Sequence, residues 1–86
     1  MDISRAEQRI LHLLAQGGHI EIIRDEQRKP IHDGLVVTRD GWRYAGMDPL
    51  LFRKLKHRRA IASRGGSPYR ITRRGLQLVR SEMDNR

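Results

Sequence analysis

Residues 48–72 read DPLLFRKLKHRRAIASRGGSPYRIT, and the fold turns on them. Asp48 suits an N-cap, because its carboxylate can accept from a first-turn N–H that has no helical partner. Pro49 follows at the first helical position, where a missing N–H costs nothing. Leu51, Phe52 and Leu55 then share one arc of a helix, the spacing of a buried stripe. Arg53, Lys54, Lys56 and His57 share the other arc, and the helix is expected to end near Arg59. Residues 60–63 and 68–71 read as two short strands joined around Gly65-Gly66. Side chains alternate along a strand, so Ile61 must share a face with Tyr69 and Ile71. A two-residue Gly65-Gly66 turn would pair Ile61 with Arg70 and break that rule. A three-residue loop, Arg64-Gly65-Gly66, pairs Ile61 with Tyr69 and supplies a glycine for its left-handed position. A helix followed by a short ribbon with a basic glycine tip is the plan of a recognition helix and its wing.

The charge lies in the same stretch. Residues 48–74 hold nine Lys/Arg (53, 54, 56, 58, 59, 64, 70, 73 and 74) against one acid, Asp48. The rest of the chain holds nine basic and nine acidic residues, so this stretch carries the whole formal charge of +8. Basicity this local marks a candidate face for an anionic partner, either nucleic acid or an acidic protein surface. Arg53, Lys54, Lys56, His57, Arg58, Arg64, Arg70, Arg73 and Arg74 are the candidate partner-binding or nucleic-acid-binding residues.

Working outward, 86 residues make one domain, 1–86. A chain of this length buries somewhat more than ~60% of its unfolded surface, which builds one modest core and leaves little room for a deep cleft. There is no cysteine, hence no disulfide, thiolate nucleophile or cysteine-based zinc site. His12, His19, His32 and His57 lack metal-motif spacing, so no metal or cofactor is expected. No apolar run approaches ~20 residues and the N-terminus has no signal-peptide core, so a cytoplasmic protein without a membrane partner is expected.

Ser4-Arg5-Ala6-Glu7 is a capping box that opens a first helix. Ala6, Ile10, Leu13 and Leu14 give that helix an apolar stripe, and Gly17-Gly18 stop it. Residues 19–25 form a strand candidate with Ile20 and Ile22 on one face. After a polar turn over 26–30, residues 35–38 form its hairpin partner. Asp40-Gly41 marks another turn. Trp42 and Tyr44 follow in a third strand or a tight connector, and as large aromatics they suit a core or lid role better than ligand contact. Thr72 caps a last helix, with Ile71 and Leu76 at staple positions and Leu76, Val79 and Met83 on the buried stripe. Gly75 in the first turn costs about 1 kcal/mol against alanine, which close approach of another backbone would explain. The tail, Asp84-Asn85-Arg86, is expected to be mobile.

The expected fold is α+β, a single winged-helix-like domain in the order α-β-β-α-β-β-α. Its expected core is Leu13, Leu14, Ile22, Leu51, Leu55, Ile61, Ile71, Leu76 and Val79. A standard winged helix has a short helix before the recognition helix, whereas a hairpin stands there in this chain.

End to end, the sequence resembles the YjhX-type family of small bacterial toxins. The resemblance is carried by Ser4 with Glu7-Gln8-Arg9, Ala15 with Gly17-Gly18, Ile20 with Ile23-Arg24-Asp25, and Arg39 with Gly41. It is most specific at Phe52 with Lys54-Leu55-Lys56, Pro68-Tyr69-Arg70-Ile71, Gly75-Leu76, and Asp84-Asn85-Arg86. Members often carry cysteines around the central hairpin, where this chain has residues such as Val36 and Met47. The resemblance implies a toxin that binds and inhibits DNA topoisomerase I and is neutralised by an acetyltransferase-like antitoxin.

Three functions compete on the residues. The first is a non-catalytic inhibitor of a DNA-processing enzyme. The second is a winged-helix transcriptional regulator with DNA as its partner. Phosphate contacts carry no sequence information, and residues 48–59 hold no Asn or Gln to read adenine, which favours the first. The third is a small ribonuclease using His57, Tyr69 and Arg70. Tyr69 is expected on the core face and Arg70 on the opposite one, which separates them, so no enzyme is expected. A solvated charge run on a structural domain is the bland alternative.

Overall fold

The computed structural model describes residues 3–24, 26–27 and 30–84. Eight elements follow one another: α1 (Arg5–Ala15), β1 (His19–Arg24), β2 (Pro30–Val37), β3 (Arg43–Tyr44), α2 (Pro49–His57), β4 (Ile61–Ala62), β5 (Arg70–Ile71) and α3 (Arg73–Asp84). The architecture is mixed α+β, with one more strand than the expected order. That strand, β3, is the Trp42–Tyr44 stretch resolved in favour of a strand; it pairs antiparallel to β2, Tyr44 opposite Val36. Asp25, the final Asn85-Arg86 and the side chain of Met83 lie outside the description.

Local chemistry sets the helix ends. The Ser4 N–H donates to Glu7 Oε1 and the Glu7 N–H donates to Ser4 Oγ, both at 3.1 Å, closing the capping box. Asp48 Oδ1 accepts from the Leu51 N–H at 2.7 Å. At the far end of α2, Arg59 takes φ 58°, a left-handed conformation that is costly for a side-chain-bearing residue. Its N–H donates to the Lys56 carbonyl, and the Ala60 N–H donates to that of Leu55, so the last turn is closed without glycine. Ala60 and Leu55 are both fully buried, which holds the cap in place.

α2 and α3 are bolted together at this cap. Thr72 Oγ1 donates to the Arg59 carbonyl at 2.6 Å and accepts from the Gly75 N–H at 3.1 Å, while the Thr72 N–H donates to the Ala60 carbonyl at 2.9 Å. A Cβ on Gly75 would strike the Ala60 carbonyl oxygen and sit 2.6 Å from Ile71 Cγ1. The close backbone approach expected from this first-turn glycine is therefore real. Gly75→Ala should lower stability by about 1–2 kcal/mol in thermal melts, because overpacking against a fixed backbone outweighs alanine's better helix propensity.

The core joins Ile10, Leu11, Leu14, Ile20, Val36, Leu51, Phe52, Leu55, Ile61, Leu78 and Val79, all buried. Four details differ from expectation. α1 is rotated so that Glu7 and Leu11 are buried, while Ala6 is exposed and Leu13 only partly covered. In α3 the buried pair is Leu78 and Val79, with Leu76 half-buried. Trp42 is outside the core, 74% exposed. Finally, Ile61 pairs with Ile71 and Ala62 with Arg70, not Ile61 with Tyr69. The faces are as expected, since a slip of two residues preserves them, but residues 63–69 form a longer loop. The cause lies elsewhere in the chain: Tyr69 is bridged to β1, exchanging both backbone hydrogen bonds with Ile20 at 2.8 Å. That bridge ties the β4–β5 ribbon to the three-stranded sheet β1-β2-β3.

Candidate interaction face

Helical periodicity makes α2 two-faced. Leu51, Phe52 and Leu55 point into the core, and Leu50, Arg53, Lys54 and His57 recur at i, i+3, i+4 and i+7 on the outside. Leu50 is 56% exposed, an apolar residue set among cations. Leu50, Arg53, Lys54, Lys56, His57 and Arg58 line one open groove of about 830 Å³. The structure therefore brings five of the nine candidate residues to one place.

Two of those five are engaged within the fold. Arg58 Nε donates to Glu7 Oε2 at 2.6 Å, and the Glu7 side chain is only 2% exposed. Burial pushes the Glu7 carboxyl up, but hydrogen bonds from the Ser4 backbone, Arg58 and the Ser4 hydroxyl, with the Arg58 charge, outweigh it and hold the pKa below its usual value. Arg58 thus neutralises a buried carboxylate as well as edging the groove. Lys56 Nζ sits 5.1 Å from the Phe52 ring centroid and 5.9 Å from that of Tyr69. The two rings meet edge to face at 5.2 Å, so Lys56 lies over the junction between α2 and the ribbon. Arg53, Lys54 and His57 project from the exposed arc.

Arg64, Arg70 and Arg73 line a second hollow of about 520 Å³ with Ala62, Ser67, Pro68, Ile71 and Thr72. Gly65 and Gly66, both at positive φ, carry the loop tip outward, with nothing within 4 Å of either Cβ position. Arg74 is exposed in the first turn of α3 and lines neither hollow. The expected basic face is therefore two concavities, one on α2 and one beside the ribbon.

The residues of the ribonuclease reading are dispersed. His57 lines the α2 groove, Arg70 the ribbon hollow, and Tyr69 is half-buried against Phe52. Among the described residues, no three His, Cys, Asp or Glu side chains gather as a metal site. No helix among them is long and apolar enough to cross a membrane. The sequence reading missed the buried Glu7–Arg58 pair, because each residue has a plausible local role in a capping box or a basic run.

A family described as "Putative toxin of bacterial toxin-antitoxin pair" matches residues 1–86. Relatives include a UPF0386 protein of Agrobacterium fabrum, 70% identical over 86 residues and covering all of both chains. Another, from Hyphomonas neptunium, is 71% identical over 85 residues, covering 99% of each. A third, from Sinorhizobium fredii, is 67% identical over the full length of both. No solved structure matches. A match along the whole chain, with relatives at about this identity, means that the protein belongs to the YjhX toxin family of bacterial toxin–antitoxin pairs.

Proposed function

We propose that the protein acts as a non-catalytic inhibitor that binds DNA topoisomerase I through a winged-helix-like basic face, made by α2 and the β4–β5 ribbon. The observation that carries this reading is the outer arc of α2, where exposed Leu50 stands among Arg53, Lys54 and His57 along an open groove. Cations around an exposed leucine suit an acidic protein surface with an apolar spot better than a phosphate backbone alone. The choice of topoisomerase I comes from the family resemblance, and so does the acetyltransferase-like antitoxin as the neutralising partner. Inhibition without catalysis is supported by the separation of His57, Tyr69 and Arg70 into different environments.

The test is relaxation of supercoiled DNA by topoisomerase I in the presence of the purified protein. Arg53→Glu/Lys54→Glu reverses two exposed charges that hold neither the Glu7 pair nor the Phe52–Tyr69 contact. It should weaken inhibition by at least tenfold, while circular dichroism and melting stay unchanged. Full inhibition by the folded double variant would dismiss the α2 face.

Direct DNA binding by a regulator is the second reading, favoured by the Arg64-Arg70-Arg73 hollow beside the exposed loop tip. Neutralising about five phosphates would give a log–log salt slope near −4 to −5, flattened by about one for each cation removed. Protein-directed binding should instead show salt acting mainly on the association rate.

A further inference from the structure

The turn between β2 and β3 holds the chain's single tryptophan in the open. Trp42 is 74% exposed, yet its backbone is tightly fixed. The Thr38 N–H donates to the Trp42 carbonyl at 2.8 Å, and the Gly41 N–H donates to the Thr38 carbonyl at 2.9 Å. The Trp42 N–H donates to Thr38 Oγ1 at 3.1 Å. Gly41 adopts φ 89°, and no atom lies within 4 Å of its Cβ position, so the backbone and not packing demands glycine here. The indole is presented on a preformed turn, and a partner need not order the loop to bind it.

Its surroundings select the partner. Arg39 and Arg43 flank the indole, both exposed, with Asp40 between them in sequence. The stem of Arg39 lies over the end of α1: a Cβ on Gly17 would meet Arg39 Cγ and Cδ at 3.4 Å. Leu13, Ala15, Gln16, Thr38, Arg39 and Asp40 line a shallow hollow of about 610 Å³ at this point, with no α2 cation among them. Asp40 and the carbonyl end of α1 are both negative, which disfavours a nucleic-acid backbone at this spot. A rigid, exposed tryptophan with arginine on either side has the composition of a protein–protein hot spot.

We propose that this turn is the docking site for the antitoxin. Trp42 is the anchor, filling an apolar slot in that protein, and Arg39 and Arg43 meet carboxylates on the rim of the slot. The choice of the antitoxin rests on the assignment of the α2 face to the inhibited target, which leaves this second surface for the neutralising partner.

The test uses the full chain labelled with 5-fluorotryptophan, whose single fluorine resonance reports Trp42 alone whatever tryptophans the partner contains. Adding the purified acetyltransferase-like antitoxin protein should shift and broaden that resonance, and a single-stranded oligonucleotide or supercoiled DNA should leave it in place. Trp42→Ala removes an exposed side chain, so the domain should stay folded by circular dichroism. It should bind the antitoxin at least about thirtyfold more weakly, while inhibition of topoisomerase I is unchanged. A resonance that moves with the oligonucleotide and not with the antitoxin would make the turn a base-stacking site and overturn the proposal. Unchanged antitoxin affinity in Trp42→Ala would overturn it too. Loss of target inhibition by Arg53→Glu/Lys54→Glu reads the α2 face separately, so the two assignments fail independently.

Discussion

Phe52→Ala should destabilise the domain by about 3–5 kcal/mol, the usual cost of removing a buried aromatic ring. Phe52 is 2% exposed and among the largest fully buried side chains. Its ring joins three parts of the molecule. It belongs to α2, it packs on the Tyr69 ring that leads into β5, and its Cδ1 lies 3.6 Å from the Cβ position of Gly34 on β2. Lys56 loses the ring beneath its ammonium at the same time. A domain of this length has about 5–10 kcal/mol in total to lose. The variant should therefore melt far below the parent and expose the α2–ribbon junction to hydrogen exchange. Phe52→Leu, which retains most of the volume, should lose less than half as much. Equal melting temperatures for parent and Phe52→Ala would mean that α2 is not seated on the sheet through this ring.

What could be read in the sequence divides along the range of the interactions. The capping box, the Asp48-Pro49 helix start, the glycine stop of α1 and the Thr72 cap are local, and each stands where its residues imply. The two-faced character of α2 is also local, because a period of 3.6 fixes it within two turns. The ribbon register is not. Ile61 and Ile71 share a face by alternation alone, but the slip of two residues depends on Tyr69 bonding to Ile20, which lies far back in the chain. α1 illustrates the same limit. A capping-box glutamate usually faces water, so Ala6 rather than Glu7 looks like the start of the apolar stripe. Arg58, 51 residues away, makes the buried glutamate tolerable and turns the helix by one position. The basic face was legible as a concentration of charge, but the work done by individual cations was not. Arg58 and Lys56 look like Arg53 and Lys54 in sequence and differ only in what lies beneath them.

Arg58→Ala should cost about 2–3 kcal/mol, because it leaves the buried Glu7 carboxylate without its countercharge. The lower part of the range for buried pairs applies, since the Arg58 side chain is 26% exposed and the Ser4 N–H still donates to Glu7. Glu7→Gln keeps an acceptor for the Ser4 N–H and removes the charge, so it should cost less. Adding it to Arg58→Ala should recover part of the loss, and that non-additivity is the measure of the pair. The pH dependence has a definite sign. The folded-state pKa of Glu7 lies below the ordinary 4.5, so its contribution is fully present above that value. It is lost as pH falls from about 4.5 through the lower folded pKa. Urea midpoints for the parent and Glu7→Gln should therefore differ at pH 7 and converge below pH 4. A gap that persists unchanged into acid would mean that the Arg58–Glu7 contact contributes through packing and not through charge. Any loss of toxin function in Arg58→Ala would then be read against its melting temperature before being assigned to the interaction face.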